Sequence, residues 1–109
     1  MVDFGPASRC TRISTGIATA DVVQVLNDAY AAEPFVTVLA PDVWPGTDMV
    51  QGSNSAVLQA VVDQHSGRVQ VVCAIDNLGK GAAGQAIQNA NLMLGFDESL
   101  GLSTIGIAP

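Results

Sequence analysis

Charge is what this sequence has least of. Only 13% of its 109 residues are Asp, Glu, Lys or Arg, against about 25% in an ordinary soluble domain. A surface so poor in charge is expected to be covered by something. Basic groups are the scarcest: Arg9, Arg12, Arg68 and Lys80 stand against ten acidic residues, for a net charge of −6. That balance excludes nucleic acid and an anionic membrane surface as main partners. A single basic residue can still hold one anionic group. Arg9, with its planar donor fork, is the candidate for a substrate carboxylate or phosphate, weighed against an ordinary surface arginine.

Long apolar runs are also missing, so no segment has the 18 or more residues of a membrane span. The opening MVDFGPASRC lacks the charged-then-apolar signal pattern, and a cytoplasmic location is expected. Cysteine and histidine are few: Cys10, Cys73 and His65. The two cysteines have neither metal-ligand spacing nor a C-x-x-C arrangement, so no metal site is expected. Cys73 lies in an apolar run and reads as a buried, inert thiol. Cys10 follows Arg9, but a nucleophile needs a base, and His65 falls in a predicted turn. No residue is assigned a catalytic role.

What is present organises around residues 74–95, AIDNLGKGAAGQAIQNANLMLG. The pattern predicts a strand end, a polar turn at Asp76-Asn77, and a helix from Gly79 or Lys80 to Gly95, the residue type that tolerates the left-handed conformation past a helix end. Glycine in the first turns costs roughly 1 kcal/mol per residue against alanine. Gly81, Ala82, Ala83 and Gly84 therefore need another reason, either tight packing on their own domain or close approach of a flat ligand. Asn77 could cap the helix, or present its amide, one acceptor and two donors, to a ligand.

The remaining chain reads as residues 1–10 an irregular lead-in, Thr11–Thr19 a strand, and a helix capped by Asp21 with Gln24 that ends near Glu33 before Pro34. Phe35–Leu39 reads as a short strand. A long loop carrying Trp44 follows, then Ser55–Asp63 and Arg68–Ile75 as a hairpin turning at Gly67. Residues 96–109 read as a docked apolar tail. The whole, residues 1–109, is expected to be a single partial domain of α+β class, with a mixed, mainly antiparallel sheet and helices on one face.

The run Asp76–Leu92 resembles the C-terminal signature of the N-acetyl-gamma-glutamyl-phosphate reductases, and more distantly that of the aspartate-semialdehyde dehydrogenases. Glu33-Pro34-Phe35-Val36, Pro45-Gly46-Thr47, Gly52-Ser53-Asn54 and the ending Gly106-Ile107-Ala108-Pro109 are similar to that family too. The resemblance implies part of a glyceraldehyde-3-phosphate dehydrogenase-like C-terminal domain. It also implies an NADP-dependent conversion of N-acetyl-glutamyl phosphate to N-acetylglutamate semialdehyde in arginine biosynthesis. The family's nucleotide-binding portion with its glycine-rich loop, its catalytic cysteine and its histidine are expected outside this chain, which alone is expected to be inactive. Cys10 stands where the family has glycine. The resemblance carries cofactor contact to Asn77 most strongly, then to Lys80 and Gln85, with Gly81 and Ala82 allowing close approach. Expected partners are the missing N-terminal nucleotide-binding portion and further copies of the chain through the sheet. The competing expectation is a non-catalytic oligomerisation or interaction module derived from that domain.

Overall fold

The computed structural model describes residues 7–13 and 16–107. In chain order the elements are β1 (Ala7–Ile13), α1 (Thr19–Tyr30), β2 (Val36–Val38), β3 (Ala56–Asp63), β4 (Arg68–Ile75) and α2 (Gly84–Leu94). One short 3-10 turn, Thr47–Met49, interrupts the long loop, and a π-helical turn, Gly79–Ala83, leads into α2. The four strands form one sheet in the order β1-β4-β3-β2. β1–β4 and β4–β3 are antiparallel, whereas β2–β3 is parallel. The fold is the mixed, mainly antiparallel α+β arrangement that the sequence predicts.

The hairpin is the frame. Asp63 pairs with Arg68 and Ala56 with Ile75, and Gly67 closes the turn at φ 66°. In that turn the Asp63 carboxylate accepts the His65 N–H at 3.0 Å and the Ser66 hydroxyl at 2.6 Å. Those hydrogen bonds, Ser66 foremost, hold the Asp63 carboxyl below its ordinary range.

β1 corrects the expected boundaries. It runs Ala7–Ile13, pairing from Ala7 opposite Ala74 to Ile13 opposite Arg68. The lead-in therefore becomes strand at Ala7, and Thr19 belongs to the helix. The full length of β4 sets where its neighbour starts and stops, and that long-range pairing overrides the local Thr/Ile preference. The expectations for Met1–Pro6, Ser14, Thr15, Ala108 and Pro109 lie outside the described residues.

α1 also starts earlier than expected. Ala18 is its N-cap, and Asp21 sits three residues on, where its carboxylate accepts the Ala18 N–H at 3.1 Å. Gln24 does not cap; its amide donates to Asp28 at 2.8 Å, one turn along. The helix ends at Tyr30, short of Glu33.

Beyond the three residues of β2, side chains take over the free margin of β3. Ala56 N–H donates to the Phe35 carbonyl at 2.7 Å, and Leu39 N–H to that of Leu58 at 2.9 Å. Past that point Ala60 N–H donates to Gln59 Oε1, and Val62 N–H to Thr19 Oγ1, both at 2.9 Å. Gln59 Nε2 in turn donates to the Leu39 and Ala40 carbonyls at 2.9 and 2.6 Å. Every donor in this stretch is met, as a buried backbone requires.

Val50, Val57 and Ala74 form a buried cluster, with Leu39 against it. Phe35 is 2% exposed, a burial worth about 1.5–3 kcal/mol. The tail lies on the segment before β3: Asn54 N–H donates to Ser103 O at 2.8 Å, Ser55 Oγ to Thr104 O at 2.8 Å, and Ile107 N–H to Gln51 O at 2.8 Å. Among the described residues no helix is long and apolar enough to cross a membrane.

Candidate functional site

The turn after β4 is built by Asp76. Its carboxylate accepts N–H groups from Gly52, from Leu78 at 2.8 Å and from Gly79 at 3.2 Å. These donors, Gly52 first, hold its carboxyl below the ordinary carboxylate range. Asp76 thus caps the helix entry and ties it to the loop before β3. The capping role open to Asn77 belongs to its neighbour.

Asn77 is exposed, and its side chain has no hydrogen-bond partner among the described residues. Its Oδ1 lies beside Gly81, 3.5 Å from where a Cβ on that glycine would stand. Gly81 and Ala82 are exposed as well. Asn77, Gly81 and Ala82 therefore share one open surface. Gln85 is exposed farther along the helix.

Lys80 is placed differently. Its ammonium donates to Gln88 Oε1 and stands 5.7 Å from the centroid of the Phe35 ring, within cation–π range. Gln88 is the hub: it also accepts from Asn54 Nδ2 at 2.8 Å and donates to Glu98 Oε1 at 2.6 Å. Asn91, buried in α2, donates to the Glu98 and Leu100 carbonyls at 3.2 and 3.0 Å. Gln88 and Asn91 of this helix thus bind its own tail and loop.

The two outer glycines have a packing reason. A Cβ on Gly79 would meet the Ser53 carbonyl at 2.4 Å, and one on Gly84 would meet Asn54 Oδ1 at 2.4 Å. The helix entry rests directly on Ser53-Asn54. The π-helical turn follows from that contact zone, with Gly81 N–H reaching Asp76 O at 2.8 Å and Ala83 N–H reaching Leu78 O at 3.2 Å. Such insertions recur at functional sites.

Gly79-Lys80-Gly81-Ala82-Ala83-Gly84 also has the G-x-G-x-x-G spacing of dinucleotide-binding loops, so the expectation that no glycine-rich loop lies in the chain is corrected at the level of pattern. Its context differs from theirs. That fingerprint works inside a parallel strand-helix-strand unit, whereas β4 is antiparallel to both neighbours. Here the outer glycines serve Ser53-Asn54. The signal was in the sequence; its meaning depended on topology.

Cys73 sits within β4, and burial pushes its thiol pKa up. Five residues separate it from the hairpin end that carries His65, about 17 Å at strand rise, so no thiol–imidazole pair forms between them. No His, Cys, Asp and Glu group among the described residues could hold a metal. Arg9 lies in β1 with its backbone opposite Val72; its side chain, and that of Cys10, lie outside the described residues.

Residues 7–77 match the family model described as "Semialdehyde dehydrogenase, dimerisation domain". The chain is 51% identical over 98 residues to N-acetyl-gamma-glutamyl-phosphate reductase of Paenarthrobacter aurescens (strain TC1), which covers 90% of this chain and 29% of that protein. It is 53% identical over 106 residues to the reductase of the same name from Acidothermus cellulolyticus, covering 96% of this chain and 31% of the relative. The reductase of Frankia casuarinae is 56% identical over 101 residues, covering 88% of this chain and 30% of the relative. The chain thus spans about three tenths of the length of these relatives. With the family model covering well over half of the sequence, and reductases aligned along nearly all of it, the chain belongs to the semialdehyde dehydrogenase dimerisation-domain family and resembles the part found in N-acetyl-gamma-glutamyl-phosphate reductases.

Proposed function

We propose that this chain is the C-terminal, subunit-pairing part of an NADP-dependent oxidoreductase that reduces N-acetyl-glutamyl phosphate to N-acetylglutamate semialdehyde in arginine biosynthesis. The reading rests on the similarity to reductases of that name along nearly the whole chain. The chain pairs with further copies through its sheet and with a nucleotide-binding portion that supplies the rest of the active site. The nicotinamide supplies hydride when bound; this chain's part is to place an amide beside it.

The observation that carries the site is the free amide of Asn77. Asp76 does the capping, so Asn77 has no structural duty and faces outwards over Gly81 and Ala82. Its donors and acceptor suit a carboxamide, and the small residues beside it admit a flat ring. Lys80 fits less directly, because Gln88 and Phe35 already hold its ammonium. Gln85 lies farther along the helix, and Arg9 is retained as the substrate-anion contact.

The test is Asn77→Ser in the intact reductase. The apparent affinity for NADPH, or turnover, falls while thermal stability holds. Unchanged kinetics per folded molecule would remove Asn77 from the site. The 109-residue chain alone is expected to show no NADPH-dependent turnover of an acyl phosphate.

A second reading, a non-catalytic oligomerisation module, is favoured by the apolar side chains left exposed at the end of α2, with Met93 85% exposed. An encoded glycine-rich loop and a cysteine nucleophile in frame upstream of Met1 decide for the reductase.

A further inference from the structure

A cleft of about 360 Å³ opens where the start of α1, the Pro41–Trp44 segment and β3 meet. Val23, Pro41, Trp44, Ala60 and Val61 give it an apolar lining. Trp44 is 48% exposed, so one side of the indole remains open. The polar residues of the lining are mostly occupied. Thr19 and Gln59 satisfy the margin of β3, and Gln24 donates to Asp28. The exception is Asp42, whose carboxylate has no hydrogen-bond or ion-pair partner among the described residues. Asp42 is also the only non-glycine described residue with positive φ, at 67°, a conformation that Asp and Asn tolerate best.

Among the described residues no basic side chain lines this cleft. The positive end of α1 near it is countered by Asp21, which accepts the Ala18 N–H. What remains is an apolar body, an aromatic wall and one uncompensated negative charge.

We propose that this cleft binds a small organic cation, an alkylammonium with its chain against Val23 and Val61 and its charged head between Trp44 and Asp42. Apolar burial holds the chain; the indole face and the carboxylate both select a positive head group. The inference is independent of the reductase reading.

Trp44 is the single tryptophan of the chain, so its fluorescence reports on the cleft directly. The probe is n-butylammonium chloride titrated into the 109-residue chain at constant ionic strength, with n-butanol as the uncharged analogue. A saturable change at millimolar butylammonium is expected, with butanol half-saturating at least ~5-fold higher. Asp42→Asn keeps the tolerance of positive φ and is expected to raise the butylammonium midpoint by ~5-fold or more, while Asp97→Asn on the tail leaves it unchanged. Val61→Phe fills the cleft from β3 and weakens both probes, giving an answer even if Asp42→Asn disturbs the loop. The proposal is overturned by no saturable change in the parent chain, by equal binding of butanol, or by a Val61→Phe variant that binds butylammonium as before.

Discussion

Asn54 Oδ1 and Gly84 face each other so closely that a Cβ on the glycine would stand 2.4 Å from that oxygen. The Asn54 orientation is set by its neighbours: Lys80 donates to Gln88 Oε1, so Asn54 must turn its own donor, Nδ2, to the same atom. Its Oδ1 is left buried and without a hydrogen-bond partner in the described structure. Gly84→Ala is therefore expected to destabilise, although alanine is the better helix former by about 1 kcal/mol. Overpacking typically costs about 1–3 kcal/mol, and the second near contact here, the Gly79 carbonyl at 2.8 Å, is backbone. A net loss of about 1–2 kcal/mol by denaturant titration is expected; a gain in stability would refute the contact.

Asp76 gives a pH dependence of known sign. Its carboxyl is depressed by the Gly52, Leu78 and Gly79 N–H donors. Its contribution is fully present above the ordinary value of 3.8 and is lost as pH falls through its own lower value. Asp76→Asn should cost about 1 kcal/mol at neutral pH, and the difference from the parent should narrow below pH 3.8. Asp63 and Asp97 are depressed too, so the difference between the two proteins is the quantity to measure. A gap independent of pH would mean that the charge does no capping.

Gly95 ends α2 at φ 74°, with its N–H reaching the Asn91 and Leu92 carbonyls. Gly95→Ala should cost about 1–2 kcal/mol, and Gly95→Asn less. Equal losses for the two variants in thermal unfolding would show that the left-handed conformation is not the source of the cost.

Leu92, Met93, Leu94 and Phe96 are all more than half exposed at the end of α2. Contiguous apolar surface seeks cover. Sedimentation at micromolar concentration should find the isolated chain self-associated. A monodisperse monomer with a sharp thermal transition would show that this surface is stable in water.

Local features were legible in the sequence and distant ones were not. The hairpin turn at Gly67 and the helix stop at Gly95 depend on the backbone needs of a few adjacent residues, and both stand where the pattern puts them. The limits of β1 are not written in its own residues, because they come from β4, some sixty residues away. The reason for Gly79 and Gly84 lies in Ser53 and Asn54, which only the fold brings beneath them. Two polar residues side by side, Asp76 and Asn77, could each have been the cap. A carboxylate reached by three N–H groups is a fact of the folded chain, and no spacing rule distinguishes the two. Lys80 is expected among the cofactor contacts by resemblance alone, and no local pattern announces that Gln88 and the Phe35 ring hold its ammonium in the fold.

The side chains that close the free margin of β3 also limit how copies of this domain can meet. An open strand edge is a template on which another chain can lengthen the sheet. Here Thr19 and Gln59 already hold the donors that an incoming strand would need. Pairing of a further strand along that stretch of β3 is blocked without any charged gatekeeper, which a sequence so short of lysine could scarcely provide. A contact between copies made at the exposed apolar end of α2 would leave the sheet at four strands, so that joining copies need not extend it.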